Sequence, residues 1–149
     1  MIAFLAVILV AGLIMYAVVE SGQGKKRRRK GRPASSGSYA GHLSRADMSA
    51  RWQTIMATSA TGASGLKSSI NEADKLLDHA MKQLGYPAAG TMGDRLKVAG
   101  KQFSNLDAVW RAHKLRNALA HEVGFDLVPS QAREALADFE QGLRDLGAL

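Results

Sequence analysis

Past residue 44 the apolar positions recur at steps of three and four, and nothing alternates with period two over a useful length, so this part of the chain predicts helices and no strands. A short first helix, about Arg45 to Ala57, carries Met48, Trp52, Ile55 and Met56 on one stripe. Thr58 to Ser64 is small and Gly-containing and reads as a loop. A second helix lines up Leu66, Ile70, Ala73, Leu77, Ala80, Met81 and Leu84, and Gly85 followed by Tyr86-Pro87 stops it. His79, beside Asp78 and off that stripe, is expected on a solvated face. Thr91 and Asp94 have the spacing of a capping box opening a third, shorter helix, which buries Met92, Leu96 and Ala99, with Phe103 near its end. The fourth runs from about Leu106 to His121 without Gly or Pro and rich in Ala and Leu; Ser104 is its expected N-cap, with Asp107 three residues on. Gly124 breaks the chain again. Ser130 is the expected N-cap of a last helix whose stripe is Leu136, Phe139, Leu143 and Leu146, ended by Gly147.

Four or five amphipathic helices joined by short connections predict an all-α fold, an antiparallel four- to five-helix bundle over residues 45–149. The core is modest for its length, so a homodimer is expected. Ahead of it the pattern changes. Met1 to Val19 holds no charged side chain, and as a helix it would span roughly 28 Å, about the thickness of a hydrocarbon core. Nothing basic precedes this run, and Lys25, Lys26, Arg27, Arg28, Arg29, Lys30 and Arg32 follow it, which predicts an uncleaved single-pass transmembrane anchor instead of a cleaved signal. The same asymmetry puts the N-terminus outside and the C-terminal domain in the cytoplasm, with the basic run in reach of anionic membrane lipids. Residues 20–44, dominated beyond Gly31 by Gly and Ser, read as a tether. His42 lies there alone and is given no role.

Charge changes the picture only once it is located. The net charge of +7 suggests a nucleic-acid binder, but seven of the twenty Lys and Arg lie in the basic run, and the other thirteen match the thirteen Asp and Glu. The helical part is therefore close to neutral. No cysteine is present, which excludes disulfides and thiolate metal sites. Neither a phosphate-cradling Gly loop nor a His-Glu-x-x-His motif occurs, so neither a cofactor nor a metal is expected.

The chemistry concentrates on the fourth helix. His113, Asn117 and His121 fall at i, i+4 and i+8 and make one polar stripe, with Arg116 at its edge. Two imidazoles, an amide and a guanidinium are poor core material, so the stripe either meets a polar partner or lines a site. Arg suits a phosphate because its planar fork donates bidentately, and His moves protons near neutral pH. Arg116 and His121 are thus candidate catalytic residues for phosphodiester transfer, and Asn117 and His113 candidate substrate-binding residues. One such pair is half a site, since cleavage needs both an acid and a base; a symmetric dimer would supply two. The competing reading is internal: Arg116 paired with Glu122 or Asp126, His121 at the helix C-terminus where a cation is favoured, and His113 hydrogen-bonded in the bundle. Trp52 and Trp110 are expected in the core or an interface.

The segment Ala112-His113-Lys114-Leu115-Arg116-Asn117-Ala118-Leu119-Ala120-His121-Glu122 resembles the signature of the HEPN superfamily, an Arg and a His separated by four to six residues with a polar residue after the Arg. The resemblance implies a helical bundle, commonly dimeric, and a metal-independent endoribonuclease in which Arg116 and His121 are catalytic and Asn117 orients or binds phosphate. The partners it implies are an RNA or nucleotide and a second copy of the chain. The alternative is a non-catalytic, membrane-anchored helical adaptor that binds a nucleotide, RNA or protein partner through the same face.

Overall fold

A computed structural model describes residues 41–149. The anchor, basic run and most of the tether expected from the sequence lie outside the described residues. Those described form five α-helices and no strand: α1 (Arg45–Ser59), α2 (Ala63–Gln83), α3 (Met92–Ala99), α4 (Leu106–His121) and α5 (Pro129–Asp145), with one 3-10 turn (Gly100–Gln102) after α3. None of these helices is long and apolar enough to cross a membrane.

α2 is the element around which the others pack, touching α1, α3, α4 and α5. Its buried arc is therefore wider than one stripe: Ile70, Ala73, Leu76, Leu77 and Met81 are fully buried, and Ser69, Asp74 and His79 are buried with them. Ser69 is tolerated because its hydroxyl donates to the Ile55 carbonyl of α1 at 2.8 Å. His79 corrects the expectation of a solvated face. With neighbours on several sides of α2 its ring is enclosed, 2.6 Å from Gln83 Oε1, and Gln83 in turn exchanges hydrogen bonds with the backbone of Leu43. The pairs Leu43–Gln83 and Ile55–Ser69 run α1 antiparallel to α2. Ser104–Asp145 and Arg111–Asp138 do the same for α4 and α5.

The helix ends follow local chemistry, with two corrections. Thr91 and Asp94 form the expected reciprocal capping box, as do Ser44 and Asp47 at α1, and in both the hydroxyl holds the carboxyl below its ordinary range. After α2 and α5 the chain turns through Gly85 and Gly147 at φ +87° and +69°, where a Cβ would be strained, and the N–H of each glycine and of the residue after it donate back to the last turn of the helix. Ser104 is not the N-cap of α4. Its N–H and hydroxyl both donate to Asp145 Oδ2 at 2.8 Å, and the Asn105 side chain caps instead, accepting from Ala108 N–H. Nor does Ser130 cap α5: Val128 holds that position and Pro129, with no N–H to satisfy, opens the helix.

The core joins Met48, Trp52 and Ile55 of α1, the α2 arc, Met92 and Leu96 of α3, Phe103, Val109 of α4, and Leu136, Phe139 and Leu143 of α5. Met56 and Leu84, both expected in it, are exposed. Met56 sits about 80° around α1 from Met48, at the rim of the stripe, and Leu84 lies past the last helical residue, where the chain has left the helical phase.

Candidate functional site

The polar stripe of α4 is fixed from α2. Asp74 interrupts the apolar face of α2 between Ile70 and Leu77 and is only 4% exposed. Its two carboxylate oxygens serve two partners on α4: Oδ1 lies 2.7 Å from His113 Nδ1, and Oδ2 lies 3.4 Å from Arg116 Nε. Asn117 closes the network, its Nδ2 3.1 Å from His113 Nε2 and its Oδ1 accepting from Arg116 Nη1 at 3.1 Å. His113 is buried, and the edge of Trp110 covers its ring with centroids 5.9 Å apart. Trp110 is held in turn by close approach to Gly93, where an added Cβ would come within 3.2 Å of the indole.

Of the four predicted site residues, three belong to this cluster and one does not. His113 lies behind the surface with both ring nitrogens engaged, so it supports the site from within instead of presenting a nitrogen to a substrate. Asn117 is half-buried between the imidazole and the guanidinium. Arg116 keeps 26% of its side chain exposed, while its Nε is shielded from solvent and faces Asp74 without a well-aligned hydrogen bond. Its partner is Asp74, forty-two residues upstream, and not Glu122 or Asp126. His121, the last residue of α4, is exposed, and its side chain makes no hydrogen bond or ion pair with the described residues.

Helix geometry separates the catalytic candidates. At 100° per residue, His113, Asn117 and His121 drift by about 40° per step, whereas Arg116 falls about 60° to the other side of His113. Arg116 and His121 therefore project about 140° apart and cannot close on a single phosphorus from one helix. A second surface would be needed for the two groups to share a phosphate.

Sequence reading did not identify Asp74. The available signal was a carboxylate at an apolar position of the best-patterned helix, where a charge is seldom buried without a partner. A separate groove of about 460 Å³ lies between α4 and α5, with Leu115, Ala118, Phe125 and Ala135 among its apolar walls and Glu134 and Asp138 on the α5 side. It contains none of the four predicted residues. Burial there pushes the Asp138 carboxyl above its ordinary range, with Glu134 adding to the shift and Arg111, 3.9 Å away, opposing it. Set against protein-family models, curated proteins and solved structures, the chain matches none of them.

Proposed function

We propose that this chain is a membrane-tethered, HEPN-like helical protein that cleaves RNA without a metal, using Arg116 and His121 from two copies of the chain. The observation that carries the reading is the contrast along α4: a guanidinium held by Asp74 and Asn117 yet open to solvent over a quarter of its side chain, and five residues on an exposed imidazole. A phosphate meeting Arg116 would replace water at the open part of the fork while Asp74 and Asn117 keep its orientation. His121 of one copy takes the proton of the ribose 2′-hydroxyl, whose oxygen attacks the adjacent phosphorus. The 5′ oxygen leaves with a proton from the other copy's imidazole, and Arg116 stabilises the charge on the non-bridging oxygens. The products are a 2′,3′-cyclic phosphate and a 5′-hydroxyl, and the proton count balances over the two histidines.

The anchor rests on the uncharged run and the basic residues that follow it. The test is the full chain in mild detergent, incubated with mixed RNA in the presence of a chelator. Cleavage that leaves cyclic phosphate ends and is lost in both Arg116→Ala and His121→Ala supports the reading. No cleavage at any concentration, or cleavage unchanged in both variants, overturns it and leaves the adaptor alternative.

A further inference from the structure

The network behind Arg116 has a direction, and the direction is set by His113. We propose that His113 is a positioning residue whose ring tautomer, dictated by Asp74, orients the Asn117 amide and through it the Arg116 guanidinium. The chain of constraint starts at the buried carboxylate, which when ionised can only accept. His113 Nδ1, 2.7 Å from Asp74 Oδ1, must therefore carry the hydrogen. A neutral ring then offers a lone pair at Nε2, so Asn117 must turn its NH2 toward it, and the two nitrogens are 3.1 Å apart. With the NH2 committed, Asn117 Oδ1 points the other way, where it accepts from Arg116 Nη1 at 3.1 Å.

Along the path from Asp74 through His113 and Asn117 to Arg116 Nη1, each donor meets an acceptor in this arrangement and in no other. With the hydrogen on Nε2, the Nδ1 lone pair would face the Asp74 carboxylate and the ring N–H would face an amide N–H. Rotating the amide to relieve the second clash would turn its NH2 against the guanidinium. The same carboxylate that fixes the ring also lies beside Arg116 Nε, so Asp74 holds one edge of the fork directly and the other through His113 and Asn117. Arg116 is thereby oriented before any anion arrives, which lowers the ordering cost of binding one. The value of that orientation to catalysis rests on the reading of Arg116 as a phosphate ligand; the hydrogen-bond polarity does not.

The test uses the full chain in detergent with 15N-labelled histidine. Two-bond nitrogen–proton correlations report the tautomer of each ring, and a His113→Gln variant identifies the His113 signals among those of His42, His79 and His121. We expect His113 alone to show the hydrogen on Nδ1 at neutral pH. A hydrogen on Nε2, or a doubly protonated ring, overturns the proposal. Substitutions supply the second arm. The amide of a Gln at position 113 can donate to Asp74 and accept from Asn117 as the ring does, whereas a Leu can do neither. Exchange of the Arg116 Nη1 hydrogens with water should rise about three- to tenfold in His113→Leu, the ratio equivalent to one net hydrogen bond. In His113→Gln it should stay near the parent rate. Equal exchange in parent, Gln and Leu variants refutes the relay. Failure of the parent to cleave RNA, with the tautomer and exchange results as expected, overturns the nuclease reading and leaves the positioning role of His113 intact.

Discussion

Replacing Arg95 with Met removes a guanidinium that is 3% exposed and performs two tasks at once. Its Nε donates to Asp78 Oδ1 at 2.6 Å, tying α3 to α2, and its Nη1 lies 3.0, 3.3 and 3.2 Å from the carbonyls of Pro87, Ala88 and Gly90, closing the connection between those helices. The charge-assisted bond to Asp78 contributes about 1.5–3 kcal/mol. The three carbonyls share one nitrogen and belong to exposed residues that can turn to water, so together they add about 1 kcal/mol. Asp78 is not orphaned by the change, because Lys82 remains 2.7 Å away and the carboxylate is 18% exposed. The roughly 3–5 kcal/mol cost of an uncompensated buried charge therefore does not apply. Met fills much of the space of the Arg stem. The expected loss is about 3 kcal/mol, a fall of roughly 10–20 °C in Tm for a domain of this size. Arg95→Lys keeps the charge but has one nitrogen for acceptors on two sides, and should lose about 1–2 kcal/mol. Thermal and urea unfolding of the full chain in mild detergent, followed by circular dichroism, measures both. A Met variant melting within about 2 °C of the parent refutes the assignment of this stabilisation to Arg95. A Lys variant as stable as the parent shows that charge, and not the fork, is what matters.

Two helix glycines should respond differently to Ala. At Gly65 a Cβ would fall 2.2 Å from the Thr58 backbone oxygen, so α1 and α2 must part, and a cost of about 2–3 kcal/mol outweighs the roughly 1 kcal/mol of helix propensity gained. At Gly142 the nearest atom is a Val109 methyl at 3.3 Å that can give way, so Gly142→Ala should unfold within about 1 kcal/mol of the parent by the same urea assay. Asp138→Asn should raise Tm at neutral pH, because a carboxyl whose folded pKa is raised destabilises the fold above that pKa; melting at stepwise lower pH should show the gain shrink and vanish below the unfolded value of 3.8. The capping carboxylates Asp47 and Asp94 have the opposite sign: their stabilisation is present above 3.8 and lost as pH falls through their lower folded values, so Thr91→Ala should flatten the acid limb of the same melting profile. If the nuclease reading holds, Arg116→Ala should lower the cleavage rate about 10²–10³-fold in gel assays, and His121→Ala about 10²–10⁴-fold.

How much of this was legible in the sequence depends on whether a signal is local. The stripes of α2, short of Leu84, and of α5, the Thr91–Asp94 cap and the stops at Gly85 and Gly147 are settled within a few residues, and each is found where the pattern puts it. Ser104 and Asn105 are both good cap residues, and the choice between them is made by Asp145 at the far end of α5, which no window around residue 104 contains. His79 reads as a solvated polar position because Leu43, which fixes its i+4 neighbour Gln83, arrives beside it only once the helices are stacked. The same holds for Arg116, for which the sequence suggests nearby carboxylates such as Glu122 or Asp126, while its partner lies on α2.

That α2 carboxylate also narrows the two readings of the polar stripe. As an internal strut Arg116 needs a buried partner, which Asp74 supplies along one edge, whereas His121 needs only the helix C-terminus that it occupies as the last residue of α4. Asp74 and Asn117 account for His113 completely and for Arg116 along one edge, whereas the exposed His121 side chain makes no hydrogen bond or ion pair with the described residues. The inner half of the stripe thus contributes to the packing of α4 on α2, and the outer half does not. A residue exposed at a helix end, without a contact to stabilise it, can be replaced at little cost to the fold. His121→Ala should accordingly melt with the parent, within about 0.5 kcal/mol, while Asp74→Leu, which strands the buried His113 N–H, should lose about 1–3 kcal/mol. A His121 variant that unfolds as readily as the Asp74 variant would show the imidazole to be structural and remove it from the proposed chemistry.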